Sequence, residues 1–156
     1  MKRPIVVNVK REPCDHYIGR RGVFGDRSFH GSPFGNPFRI STEAERAGAI
    51  QRYADHLLSR DDLLIKLPNF EGKRLGCWCS PLPCHGDVIA DFVQAIPCGL
   101  KPSVALINAL RAEHTDADAR AAAGVREWNQ LTEANAIRQL ILRWKKLNPT
   151  PGSGLF

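Results

Sequence analysis

The spacing of hydrophobic and polar positions changes several times along this chain, and each change marks an expected element. Residues 4–9 are rich in β-branched side chains with weak alternation, which predicts a buried strand. From about residue 12 to 41 no period holds, and Gly19, Gly22, Gly25, Gly31, Gly35, Pro33 and Pro37 speak against regular structure. Tyr17, Phe24, Phe29, Phe34 and Phe38 lie in the same stretch. That is too many aromatics for a linker, so an ordered, functional loop is expected. Ser41-Thr42-Glu43-Ala44-Glu45 then offers an N-cap and early acidic residues, followed by Ala49, Ile50, Tyr53, Ala54, Leu57 and Leu58 at helical spacing. This predicts a helix over 43–59. Asp61-Asp62 predicts the cap of a short second helix through Leu67, stopped by Pro68. After Gly72, residues 73–78 read as a strand. Pro83-Cys84-His85-Gly86-Asp87 opens a helix to about residue 95, ended by Pro97 and Gly99.

Beyond Gly99 the composition shifts. Residues 103–113 and 124–147 read as helices, the second with Val125, Trp128, Leu131, Ile137, Leu140, Ile141, Trp144 and Leu147 on one face. Such a stripe serves a core or a subunit contact more readily than a ligand, and it is the motive for expecting a homo-oligomer through this helix. The order strand, loop, helix, helix, strand, helix implies an α/β fold: a small parallel sheet with helices on its faces, plus a C-terminal helical extension. The implied organisation is an α/β domain over 1–99, a helical extension over 100–148 packed on it, and a flexible tail over 149–156.

Length adds one constraint. A chain of 156 residues can bury a sizeable core without a disulfide staple. The first apolar run is too short for a secretory segment or a membrane span, so a soluble cytoplasmic protein with no membrane partner is expected, its cysteines reduced. The formal charge of +6 is uneven: residues 1–40 carry eight Lys/Arg against three Asp/Glu, leaving the remainder nearly neutral. A basic N-terminal segment favours a phosphate-bearing partner, nucleotide or nucleic acid.

The densest chemistry is the run Cys77-Trp78-Cys79-Ser80-Pro81-Leu82-Pro83-Cys84-His85-Gly86-Asp87. Cys77 and Cys79 at a strand end share a face, because side chains alternate along a strand. Cys84 and His85 follow at a helix start. Three thiols and an imidazole suffice for tetrahedral zinc, which makes Cys77, Cys79, Cys84 and His85 the candidate metal ligands. A rival chemistry uses the helix N-terminus to lower the Cys84 thiol, with His85 or Asp87 as proton partner, so that Cys84, His85 and Asp87 are the candidate catalytic residues. The same terminus also suits a substrate phosphate. A third reading makes the cysteines small apolar packers, with Asp87 favouring the first helical turn.

The long loop supplies candidate substrate-binding groups: Gly19 and Arg20, then Asn36 and Arg39. Glycine allows close approach, arginine offers a planar donor fork, and Phe38 adds a face for a base. The same loop can instead simply pack Phe34 and Phe38 into the core. Cys14 and His16 have strand-like spacing and are open candidates to join the cluster.

Val6-Val7-Asn8-Val9-Lys10-Arg11, Tyr17-Ile18-Gly19-Arg20, Gly35-Asn36-Pro37-Phe38, residues 72–79 and residues 83–87 together resemble the DUF4326 family of phages, bacteria and some eukaryotes. The resemblance covers about residues 4–96 and implies no particular activity. Phe24 to Ser32 stands as extra sequence in the loop. A weaker likeness to the DUF488 family rests on Cys77 and Cys84-His85, with an acidic residue tending to stand in that family where Cys79 stands here. Three functions follow as expectations. The first is a thiol- or metal-dependent enzyme processing a nucleotide, nucleobase or nucleic-acid-linked substrate. The second is a zinc-stabilised nucleic-acid-binding module. The third is a phage accessory interaction protein that uses its C-terminal helix.

Overall fold

Leu75, Gly76 and Cys77 are buried on both faces of Arg74–Cys77, and this strand, β5, is the middle one of a three-stranded parallel sheet, between β1 (Ile5–Asn8) and β2 (His16–Tyr17). The structure is a computed structural model and describes residues 1–96 and 125–147, with side chains in the last segment from residue 133 on. In the register, Val6 lies beside Leu75 and Asn8 beside Cys77, while His16 also meets Leu75. Strand alternation then separates two faces. Val6, Leu75 and Cys77 turn toward the main core, and Val7 lies beside Gly76 on the other face. Gly76 has no room for a side chain, because a Cβ there would stand 2.5 Å from Cys14 Sγ and 2.6 Å from Val9 Cγ1.

The long connection contains more regular structure than its glycines suggest. It holds strand β2 and an antiparallel hairpin, β3 (Gly22–Phe24) and β4 (Arg27–Phe29). Gly25, with φ of +56°, and Asp26 form its two-residue turn, a position where glycine avoids the strain of a left-handed backbone. The Gly-Asp pair between short apolar runs was the local signal for this hairpin. Phe34 is buried in the core, as the packing reading has it, while Phe38 is half-buried, packing against the core with one part and lining a cavity with another.

Glu43–Glu45 forms a 3₁₀ turn that leads into α1 (Arg46–Leu58), which buries Ala49, Tyr53, Ala54 and Leu57. The second helix, α2 (Asp61–Leu64), is shorter than expected. Pro68 does not stop it; Pro68 lies inside a separate 3₁₀ turn, Leu67–Phe70, at its tolerated early position. Helix α3 (His85–Ala95) is laid against β1 and β5. On α3 in turn pack α1, the Leu67–Phe70 turn and α4 (Val125–Leu147), the last also against α2. Leu57, Leu63, Leu64, Leu67, Ile89, Ile137 and Ile141 are fully enclosed there. Each contributes about 1.5–3 kcal/mol by leaving water.

The fold is therefore α/β with a small parallel sheet, as the element order implied. Ile137, Ile141 and Trp144 of the α4 stripe are spent on the chain's own core, while Leu147 is exposed. Arg138 ties α4 down, donating from Nε to the Leu58 carbonyl at 2.7 Å and pairing through Nη2 with Asp61. The expected helix over 103–113, the stop at Pro97 and Gly99, and the tail lie outside the described residues. No described helix is long and apolar enough to cross a membrane.

Candidate functional site

Two neighbouring features create the site: β5 ends at Cys77, and α3 begins at His85 on the adjacent edge. Between them, Asn8 at the end of β1 donates its side-chain amide to the carbonyls of Trp78 (3.1 Å) and Ser80 (2.6 Å). Those carbonyls lie in an irregular turn with no ladder partners, so Asn8 shapes the cysteine loop. Cys84 is the N-cap of α3. Its sulfur accepts from the Gly86 amide at 3.2 Å, and its own amide donates to the Asp87 carboxylate at 2.8 Å. This is a capping box with a thiol in place of the usual hydroxyl.

The donor atoms of Cys77, Cys84 and His85 all lie within 4.8 Å of one another, and all three residues are buried. This group can hold a metal ion. His85 Nε2 stands 2.8 Å from the Ile18 carbonyl. A carbonyl only accepts, so Nε2 carries the proton and Nδ1 keeps a lone pair, which points at Cys77 Sγ 3.8 Å away. Burial lowers the His85 pKa, keeping the ring neutral as ligation requires. The Tyr53 ring meets the imidazole edge-on at 5.0 Å, and its hydroxyl donates to the Phe34 carbonyl at 2.8 Å. A ring held by a carbonyl on one side and an aromatic wall on another has little freedom to turn.

Cys79 stands outside this three-atom group but beside it. The neighbouring Cys77 and Cys84 thiols, and after them the Arg46 guanidinium, lower its pKa. Its partners move the other way. Cys77 is pushed up to about 11, first by its bond to Cys79. Cys84 is pushed up through its bonds to Cys77 and Cys79 and by burial. The Gly86 amide at the helix N-terminus acts on Cys84 in the opposite direction, lowering its pKa.

These residues floor a cavity of about 140 Å³. Gly19, Arg20 and Asn36 line it, together with Phe38, Trp78 and Arg46. Arg20 donates to the Asn36 carbonyl at 3.4 Å, closing one rim.

A family model described as "Domain of unknown function (DUF4326)" matches residues 6–95. The chain belongs to this family. One similar protein is the "Uncharacterized 12.4 kDa protein in nrdA-td intergenic region" of Enterobacteria phage T4, 31% identical over 75 residues, which are 46% of this chain and 69% of that protein. No solved structure matches. The DUF488 likeness finds no support in these matches.

Every residue of the donor group and of the cavity rim named above falls within the DUF4326 segment, whereas α4 lies beyond it. Two expected site residues do not face the cavity. Arg39 is exposed away from it, and the Asp87 carboxylate is taken up by the helix cap. Cys14 packs against the Gly76 face and the His16 ring against Phe70 at 5.2 Å, so neither joins the donor group. Sequence reasoning overlooked Arg46. It is held by Glu43 on Nε and Nη2 and donates from Nη1 to the Pro83 carbonyl at 3.2 Å. Its place in the first turn of α1 gave no hint, since α1 and the cysteine loop are far apart along the chain.

Proposed function

We propose that the DUF4326 cavity is a metal-dependent enzyme site for a nucleotide-type substrate, with zinc held by Cys77 Sγ, Cys84 Sγ and His85 Nδ1. The observation that carries this reading is the Ile18–His85 hydrogen bond, which leaves Nδ1 as a neutral donor aimed at two thiols in a buried setting. Tetrahedral zinc with ordinary Zn–S and Zn–N lengths separates sulfur from nitrogen by about 3.6 Å, close to the spacing of Cys77 and His85. Two thiolates neutralise the dication, which makes its burial affordable.

Three protein donors beside a cavity leave a fourth position open, the arrangement of a catalytic rather than a structural zinc site. When bound, zinc there supplies a Lewis acid and lowers the pKa of a coordinated water. The chain's own residues do the rest. Arg20 at the rim takes an anionic group, and Phe38 and Trp78 flank a ring. The cavity is about as large as an engineered cavity of roughly 150 Å³ that takes benzene, so it suits one six-membered ring with the phosphate left at the rim. Cys79 and Arg46 line the cavity beside the open position, where the guanidinium can hold a second anionic group. Asp87 and Tyr53 are positioning residues.

Elemental analysis of purified protein and variants tests this. Near one zinc per chain is expected in the wild type and in Cys79→Ala, and less than a tenth of that in His85→Ala. Loss of metal from Cys79→Ala would instead make the site a closed, structural set of three cysteines and one histidine. Nucleoside monophosphates should then raise the thermal midpoint of the zinc-loaded protein, and Arg20→Ala should abolish that rise.

A further inference from the structure

We propose that the β3–β4 hairpin and the Trp78 ring beneath it form a stacking platform for single-stranded nucleic acid. The hairpin tip exposes Val23 (72%) and Phe24 (40%). Phe24 and Phe29 meet Trp78 edge-on, with centroids 6.4 Å and 5.2 Å away. Cations lie among these rings: Lys10 Nζ is 5.5 Å from the Phe24 centroid and 5.7 Å from that of Trp78, and the Arg27 guanidinium is 5.8 Å from Phe24 and 5.7 Å from Phe29.

Among the described residues, four of the five cation–ring contacts fall on this patch, the fifth being Arg52 over Phe38. Arg3, Arg46, Arg60, Arg74 and Arg138 each have a carboxylate partner. Lys10, Arg20 and Arg27 have no carboxylate partner among the described residues, a condition they share with Arg11, Arg21, Arg39 and Arg52, but Lys10 and Arg27 alone stand over the rings of this patch. Asp26, in the turn, is the one carboxylate on the hairpin. Exposed rings interleaved with unpaired cations fit a partner that carries regular negative charge beside flat unpaired faces. A single strand has both, a phosphate per nucleotide and an accessible base, whereas a duplex hides its base faces in the stack. On binding, Lys10 turns from the rings to a phosphate and a base takes its place, while Arg27, held through Nη2 on the Val9 carbonyl at 2.7 Å, offers its remaining N–H groups to a second phosphate. Because Trp78 and Arg20 also line the cavity, a strand held here runs past the cavity mouth. The platform residues hold no metal, so its failure leaves the proposed metal site untouched.

Fluorescence anisotropy of the full chain with labelled short oligothymidylate, oligouridylate and a duplex of equal length tests the platform. Single strands should bind at least tenfold tighter than duplex. With three phosphate contacts, affinity should fall roughly twentyfold between about 50 and 200 mM salt, and Lys10→Ala should reduce the salt slope by about 0.7. Phe24→Ala should weaken binding about tenfold, with Phe24→Trp restoring it; both changes sit on an exposed tip and should leave circular dichroism unaltered. Tighter binding of thymidylate assigns DNA and of uridylate RNA, and either supports the platform. No strand binding at low salt, equal affinity for duplex, a neutral Phe24→Ala, or binding to anionic vesicles without strand affinity overturns it.

Discussion

The proton on His85 Nε2 is held by the Ile18 carbonyl, and among the three neighbouring thiols the Cys79 pKa is lowered, first by Cys77 and Cys84 and then by Arg46. Reactivity should follow that order. In metal-free protein at neutral pH, iodoacetamide should modify Cys79 first, since a lowered pKa keeps the thiolate present as pH falls, whereas Cys77 and Cys84, both raised, stay protonated. Peptide mass spectrometry reads the order; modification of Cys84 first would return the nucleophile to the position that the helix terminus alone suggests. Asn8 makes a second residue-scale prediction. Asn8→Ala leaves the Trp78 and Ser80 carbonyls unpartnered and should lower stability by about 1–3 kcal/mol, measured by urea unfolding. Asn8 is conspicuous in the sequence as a polar residue in a β-branched run, but its targets lie some seventy residues away and no local signal names them.

At the scale of elements, periodicity served well where segments are long. α3 lies where apolar spacing and its cap put it, and α1 follows its apolar stripe but starts at Arg46, after a 3₁₀ turn and without a side-chain cap. A stripe is a short-range property, while the expected cap at Ser41-Thr42 serves the turn region before the helix. The hairpin was missed because five glycines in the loop obscured the single pair, Gly25-Asp26, that a two-residue turn needs. For α4 the spacing found an apolar face without saying what covers it. α2 and α3 do, and Arg138 fastens the contact at the end of α1. Arg138→Ala should therefore destabilise the protein by about 2 kcal/mol. A change in unfolding midpoint below that of an ordinary surface substitution would show that α4 is dispensable to the rest.

At the scale of the whole molecule, folding and metal binding should be coupled, since the three donors come from the end of a strand and the start of a helix that meet only in the folded chain. A chelator should lower the thermal midpoint, and metal at a thousandfold excess over its dissociation constant should contribute about 4 kcal/mol. The pH dependence has a definite sign. Cys77 and Cys84 must lose protons to bind metal, so the difference between melting curves with and without chelator should be larger at pH 8 than at pH 6; equal differences would exclude thiolate ligation.

By itself the sequence determined the order of β1, α1, α2, β5, α3 and α4, the α/β class, and the concentration of thiols and imidazole at one strand-to-helix junction, all of which depend on neighbours a few residues apart. Tertiary structure alone decided which donors converge. The parallel pairing of β2 with β5 sets the Ile18 carbonyl against a histidine 67 residues later, and so selects the imidazole tautomer. It also brings Arg46 from α1 to Cys79, turns Asp87 into the helix cap, and leaves Arg39 outside the cavity. The physical reason is that a hydrogen bond or a shared charge is settled by distances of a few ångströms, which spacing along a chain does not encode once the chain has turned back on itself.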